Sequence, residues 1–456
     1  MAKSMGRPLG RTSSASPTST VFLPRHVMSV EYHPRDKYGF KKKTTEVTVE
    51  QYDRWYDKYE GYVKRRTKKW EALMKKHDCS MDDPCRFPER NDTVKRYARK
   101  GYPPQWRGAM WWYYSGGQMT LGQKTGVYDA LLMRCKLGEL NETDRELIER
   151  DLHRTFPDNI HFKPDEVKTP DNLIGATTEE PDMIRSLRNV LQVFAMNNPS
   201  IGYCQSLNFI AGLLLLFLKQ DEERVFILME IITHHHLPGA HARSLMNVDV
   251  GALMMLVQEY LPTVWNSIND IDIINSGAGS SAHPASKHAR LPSVNIACTS
   301  WFMSLFIGTL PIETVLRVWD AFLYEGPKAL FRYALAIFKT GEAQIRRCPA
   351  DSPELFQIVQ NLPRKCLDPN ELYKIAFARR PFGNLNQGII DSKRAFWKEE
   401  ILKQREEHAK LAEGQKDGLL AVQTEQVEGE KENGGLKRKM SRRFLKRSAS
   451  KKNLKV

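Results

Sequence analysis

An all-helical fold is the architecture this chain of 456 residues predicts. Three observations carry the expectation. Apolar residues recur at three- and four-residue spacing in one segment after another, and no stretch sustains the period-two alternation of a half-buried strand. One segment, Phe209 to Leu218, is apolar on nearly every side, which suits the central helix of a core.

The totals bound what that fold can contain. A hydrophobic fraction of 41% is low for one fully packed globule of this length, so part of the chain is expected to be tail. The net charge of +15 calls for acidic partners: nucleic acid, anionic lipid or an acidic protein surface. Seven cysteines without a CxxC pair fit reduced thiols in a cytosolic protein and exclude a disulfide framework. His234-His235-His236 with His241 suggests a metal only superficially, because consecutive imidazoles on a helix point around it; no metal site is expected. The longest apolar run is about half a membrane span, so a soluble protein is expected.

Taken in order, residues 1–36 form a basic, Ser-rich stretch with no acid before Glu31. Pro8, Pro17 and Pro24 interrupt the amphipathic helix that a transit peptide needs, so the segment reads as a disordered arm. Residues 37–92 contain a long amphipathic helix followed by a linker. Its stripe of Tyr52, Trp55, Tyr56, Tyr59, Val63, Trp70, Leu73 and Met74 is the docking face for the neighbouring domain. The block from Arg99 to Trp111 places a Gly/Pro turn before a helix starting near Pro104, with Arg107 and Trp111 on one face. The following stretch, Gly117 to Thr125, is expected to be a loop and nearly spells a phosphate-binding one. Gln123 separates glycine from lysine, and no buried strand precedes it, so nucleotide binding there is rejected.

Leu147 to Arg154 then reads as a short amphipathic helix, opened by a Thr143/Glu146 capping box and closed by Pro157. Ile148, Asp151 and Arg154 lie along one edge, so the carboxylate can hold the guanidinium. Alone, such a pair is a surface contact worth a few tenths of a kcal/mol. After a long polar loop (163–181), a helix from Met183 to Phe194 leads to the turn Ser200–Asn208, which puts Gln205 at the mouth of the apolar helix. One helix is expected from Leu253 to Trp265, then a Gly-, Ser- and His-rich insertion (275–292). Core returns at Trp301–Phe306, in a helix opened by Pro311 and stopped by Gly326-Pro327, and in another from Ala329 to Ile345. Residues 347–413 are a helical extension, and 414–456 a disordered polybasic tail.

Ile148-x-x-Asp151-x-x-Arg154 and Tyr203-x-Gln205 resemble, in order and context, the two fingerprint motifs of the TBC domain, a family of GTPase-activating proteins for Rab GTPases. Asn208 follows as it does in the family; Arg99-x-Gly101-x-Pro103 with Arg107 and Trp111 looks like its opening block, and Ser300-Trp301-Phe302 and Trp319-Asp320 like later core blocks. Within the family, Tyr38-Gly39-Phe40, Val94–Tyr97, Arg154–Asn159 and Glu313–Arg317 look most like the growth-hormone-regulated branch. The resemblance implies a TBC-domain helical fold over residues 93–346. It implies that Arg154 is an arginine finger and Gln205 a glutamine finger, with Asp151, Tyr203 and Asn208 orienting them. Arg107, Trp111, Ile148, Trp301, Trp319 and Asp320 are then structural or GTPase-contacting.

The chemistry suits those residue types. GTP hydrolysis needs an attacking water held in line and positive charge where negative charge builds, and an arginine supplied in trans is worth about 10³ to 10⁵ in rate. The expected partner is a Rab GTPase in its GTP form, regulated in vesicle trafficking. That partner carries the GTP and Mg²⁺; no cofactor of the chain's own and no independent catalytic activity are expected. Two departures stand out: Ser206 and Leu207 occupy positions where the family commonly has glycine and methionine. The alternative is a catalytically silent TBC module that binds a GTPase or scaffolds at a membrane. The tail has Phe444 as its one stacking residue among cationic runs, so an anionic membrane surface fits it at least as well as nucleic acid; no nucleic-acid partner is expected, and the expectation is a cytoplasmic protein with peripheral membrane contact.

Overall fold

The computed structural model describes residues 34–164, 180–237, 247–269, 291–350, 352–407 and 409–410. The basic arm before Pro34, the tail from 411 onward and nearly all of the 275–292 insertion lie outside the described residues. Among the described residues there is no β-strand beyond two isolated bridges, Arg35 with Lys41 and Phe40 with Asn159. The fold is all-α. No described helix is long and apolar enough to cross a membrane.

The first helix, α1 (Val49–Lys76), starts from a Thr48/Gln51 capping box and buries Tyr52, Tyr59, Arg66, Trp70 and Met74. That spacing keeps one face toward the rest of the molecule. Trp70 is fully buried and its indole N–H donates to the Gly101 carbonyl at 3.0 Å, while Tyr62 donates to the Lys100 carbonyl at 2.8 Å. The aromatic stripe therefore docks as its pattern predicts. Full burial of a side chain this large is worth roughly 1.5–3 kcal/mol or more.

After α2 (Asp92–Arg99), a single 3₁₀ turn at Pro104–Trp106 runs into α3 (Arg107–Ser115). Gly117–Gln123 is helical (α4), not the loop expected, because Gly116 in a left-handed conformation turns the chain directly from α3 into a new helix. Next come α5 (Val127–Lys136) and α6 (Glu142–Leu152). The expected Thr143/Glu146 capping box is displaced: Asn141 is the N-cap, its side-chain oxygen accepting from the Asp144 N–H at 2.8 Å. Thr143 thus falls inside the first turn.

The helices α7 (Asp182–Asn197), α8 (Leu207–Phe217) and α9 (Glu222–Ile231) form the centre, each packed against the other two. A π turn at Ile232–His236 ends α9. The single helix expected over 253–265 is two, α10 (Val248–Tyr260) and α11 (Pro262–Ile268), since Pro262 cannot donate to the α10 ladder and opens its own helix. Then follow α12 (Asn295–Met303), α13 (Ile312–Glu325), α14 (Lys328–Ile345), α15 (Pro353–Asn361), α16 (Pro369–Ala376) and a last helix over 387–407.

Two carboxylates of α13 tie down the opening block: Glu325 pairs with Arg99, and Asp320 gathers the donors around Arg107. Asp320 is fully buried and accepts from the Tyr102 N–H at 2.8 Å, the Trp111 indole N–H at 2.8 Å and Arg107 Nε at 3.1 Å. Burial pushes the Asp320 carboxyl upward; Arg107 and the Tyr102 and Trp111 donors oppose the rise. Arg107 reaches further, donating to the Tyr38 hydroxyl at 2.8 Å and so fastening the segment ahead of α1.

That segment folds on itself around Asp36, whose carboxylate accepts from the N–H groups of Tyr38 at 2.8 Å and Phe40 at 3.0 Å. Burial raises the Asp36 carboxyl from its ordinary 3.8 to about 6; those two N–H groups oppose the rise, Glu313 adds to it, and Lys37 opposes it. The folded chain therefore holds this proton to higher pH than the unfolded chain. Its contribution is complete below pH 3.8 and lost as pH climbs to about 6. Asp36→Asn is expected to gain roughly 1–3 kcal/mol on the unmutated protein across that window, read by denaturant melts at the two ends. A difference that stays constant with pH would contradict it.

Candidate functional site

The two exposed polar residues singled out by the motifs, Arg154 and Gln205, stand on adjoining pieces of backbone. α6 stops at Leu152, so Arg154 lies in the turn that follows rather than in the helix expected to carry it. The reason is local: the Asp151 carbonyl is satisfied by the Thr155 hydroxyl at 2.9 Å and the Arg154 N–H at 3.2 Å, drawing the chain off the helical path. Arg154 is 65% exposed, with Nη1 3.6 Å from the buried Asp151 carboxylate. The tether is loose.

Asp151 holds something else more firmly. Its second oxygen accepts from the Tyr203 hydroxyl at 3.0 Å, and both groups are buried. Burial, then the Asp151 carboxylate, pushes the Tyr203 phenol far above its usual range, so it remains a donor. The Tyr203 backbone N–H donates to Asp144 Oδ1 at 3.0 Å. Two carboxylates seven residues apart on one face of α6 therefore grip the same residue, one by its side chain and one by its main chain. Gly202, at φ +61°, passes so close that a Cβ there would sit 3.0 Å from both Asp144 oxygens. Gln205 comes two residues after Tyr203 and is exposed.

Beyond Gln205, Ser206 caps α8 at φ +91°, a left-handed conformation in which glycine is unstrained. This explains physically why a glycine suits that position; serine adopts it with its N–H donating to Asn208 Oδ1 at 3.2 Å. Asn208 is buried and donates to the Thr155 hydroxyl at 2.8 Å. It thereby locks the start of α8 to the turn that carries Arg154. That turn continues through Phe156 at φ +47°, a conformation costing a bulky residue roughly 1–3 kcal/mol. The Phe156 ring packs against Phe40, Phe162 and Phe209.

The residues expected to be structural or GTPase-contacting are interior. Arg107, Trp111 and Asp320 form the buried cluster described above, and Trp319 packs on Trp111 with centroids 5.4 Å apart. Trp301 lies apart from them against Phe338, and Ile148 anchors α6 from below. Among the described residues, no group of three or more His, Cys, Asp or Glu is arranged to hold a metal. Asp144 lies outside every motif, and Thr155 and Asn159, although within the Arg154–Asn159 stretch, carry no expected role. Asp144 was the accessible one, since its seven-residue spacing from Asp151 put both on one helical face.

The family model for the Rab-GTPase-TBC domain matches residues 104–277 and 283–346. The chain belongs to this family. Among its relatives, the GTPase-activating protein GYP3 of Saccharomyces cerevisiae is 40% identical over 408 residues, 79% of this chain. The chain covers 63% of that relative's own length. Growth hormone-regulated TBC protein 1-A of Danio rerio, from the branch that the motifs suggested, is 33% identical over 333 residues, covering 73% of this chain and 78% of that one. The crystal structure of the Chlamydomonas flagellar RabGAP TBC domain superposes with a TM-score of 0.56 at 28% identity, covering 75% of this chain and 99% of that chain. The all-helical architecture of the TBC family is thus shared by this chain.

Proposed function

We propose that this TBC protein accelerates GTP hydrolysis by a Rab-family GTPase, with Arg154 as arginine finger and Gln205 as glutamine finger, and so acts in vesicle trafficking. The observation that carries the reading is the Asp151–Tyr203 side-chain bond: it ties the segment leading to an exposed arginine to the segment leading to an exposed glutamine, while Asp151, Tyr203, Asn208, Arg107, Trp111, Ile148, Trp301, Trp319 and Asp320 are all buried. GTP and Mg²⁺ belong to the partner. A guanidinium with little to hold it can leave Asp151 for the charge that develops on a transferring phosphoryl group, and an amide can both accept from and donate to an attacking water. Asp151, Tyr203 and Asn208 orient the two carriers without reaching the nucleotide.

Single-turnover hydrolysis by a panel of GTP-loaded Rab proteins tests this. Arg154→Ala is expected to lower the accelerated rate by about 10³-fold or more, and Gln205→Ala to remove most of the acceleration. Unchanged rates in both variants would sink the two-finger mechanism, and tight binding without acceleration by the unmutated protein would favour a silent binding module.

The polybasic tail supports a second part of the proposal, contact with an anionic membrane. Lys437-Arg438-Lys439, Arg442-Arg443, Lys446-Arg447 and Lys451-Lys452 supply cations at about 1 kcal/mol each near such a surface at low salt. Truncation after Gly414 is expected to leave hydrolysis in solution intact and to weaken cosedimentation with phosphatidylserine-containing vesicles. Equal sedimentation of the two proteins would remove the membrane role.

A further inference from the structure

We infer that residues 35–41, which lie more than sixty residues ahead of the matched domain residues, are a positioning clasp for the Arg154 turn and therefore part of the activating device. The inference rests on the reading of Arg154 as the residue that reaches the GTPase.

One set of contacts from this segment goes to the residues just after Arg154. The Ile160 N–H donates to the Gly39 carbonyl at 3.1 Å, the buried Asn159 amide donates to the Tyr38 carbonyl at 2.9 Å, and the Lys41 N–H donates to the Asp158 carbonyl at 3.1 Å. The Arg35 guanidinium donates to the same Asp158 carbonyl at 2.6 Å. Phe40 sets its ring edge-on to Phe156 at 5.2 Å. Backbone bonds, side-chain bonds and a ring contact thus converge on Phe156, Asp158, Asn159 and Ile160. These include the strained Phe156, and a strained conformation persists only where its surroundings over-determine it.

Other support for the turn is incomplete. A cavity of about 400 Å³ flanks it, lined in part by Phe156, Pro157, Asp158 and Phe209. The clasp closes part of what the cavity leaves open, because Phe40 and Lys41 also line that space. The clasp is itself anchored to the centre of the fold: Tyr38 accepts from Arg107, packs on Phe217 with centroids 5.2 Å apart, and Lys37 pairs with the buried Glu313 at 2.9 Å. A continuous path of hydrogen bonds runs from Asp320 through Arg107, Tyr38 and Asn159 to the Arg154 turn. Its residues position Arg154 and are not catalytic.

Gly39 makes the idea testable by one methyl group. It sits at φ +88°, and a Cβ there would lie 2.9 Å from Ile160 Cγ2 and 3.3 Å from Asn159 Oδ1. Gly39→Ala should therefore lift the clasp from the turn while leaving the helical core alone. In the full chain, hydrogen exchange of the amides in residues 155–163 is expected to speed up about tenfold while that of residues 207–217 stays unchanged. With the Rab that responds most strongly in the panel, the rate at saturating activator should fall about ten- to a hundredfold, with half-saturation shifted less than about twofold. In an Arg154→Ala background the same substitution should cause no further loss. Tyr38→Phe, which deletes only the hydroxyl that meets Arg107, should move both readouts in the same direction.

Unchanged exchange in residues 155–163 of Gly39→Ala would overturn the clasp, as would an equal rate loss with and without Arg154. If Arg154→Ala itself leaves the rate intact, the finger reading falls while the exchange result still decides whether residues 35–41 hold the turn.

Discussion

The molecule depends on a buried carboxylate. Asp320 sits on α13 with no access to water and is neutralised by Arg107, while the Trp111 indole and the Tyr102 main chain supply its other donors. Removing one partner from such a site strands a charge or an orphan donor in low dielectric, at a cost of about 3–5 kcal/mol. Pieces distant in sequence are thereby made to agree: the turn at Tyr102 with the helix that follows it, and the α13 helix some 200 residues later. Arg107 then spends its remaining donors on the Tyr102 carbonyl and the Tyr38 hydroxyl, so the order of the centre is passed outward to the N-terminal segment.

The proposed site works by a division between fixed backbone and free head group. α6 holds the 202–205 segment at Asp144 and Asp151, and Asn208 ties α8 to Thr155, so both carriers have buried partners. Arg154 and Gln205 themselves stay exposed. A guanidinium locked in a short bidentate pair would have to break it before meeting a GTPase; at 3.6 Å from a carboxylate that already serves Tyr203, Arg154 is oriented at little cost in release. Ser206 shows the same economy. Its left-handed conformation carries strain that glycine would avoid, yet the bond to Asn208 keeps the entrance to α8 intact.

Much of this was legible from residue spacing. The 3.6-residue period located the helices, the apolar run from Phe209 marked the centre, and the aromatic stripe of α1 marked a docking face because burying Trp70 and Tyr59 requires a partner surface. Errors fell where a local competitor outranks a pattern. Asn141 caps α6 ahead of Thr143; Pro262 divides one apolar stretch into two helices; Gly116 starts a helix where a glycine-rich loop was expected. The end of α6 differs from the pattern because the Thr155 hydroxyl and the Arg154 N–H take the Asp151 carbonyl, a side-chain competition that apolar spacing does not display. The 35–41 clasp was opaque for another reason: Tyr38-Gly39-Phe40 has no periodicity, and its partners at 156–160 appear only once the chain has folded. The Asp144 grip, by contrast, lay in plain spacing.

Differential binding of the transition state is the most direct measure of the two-finger proposal. Affinity for a responsive Rab loaded with GDP, Mg²⁺ and aluminium fluoride, compared with the same Rab loaded with GDP alone, isolates the contacts made only when charge develops on the phosphoryl group. The unmutated protein is expected to bind the fluoride complex at least about a hundredfold more tightly, and Arg154→Ala and Gln205→Ala each to lose most of that excess while their affinity for the GDP form is unchanged. Equal preference for the fluoride complex in all three proteins would contradict the roles proposed for Arg154 and Gln205.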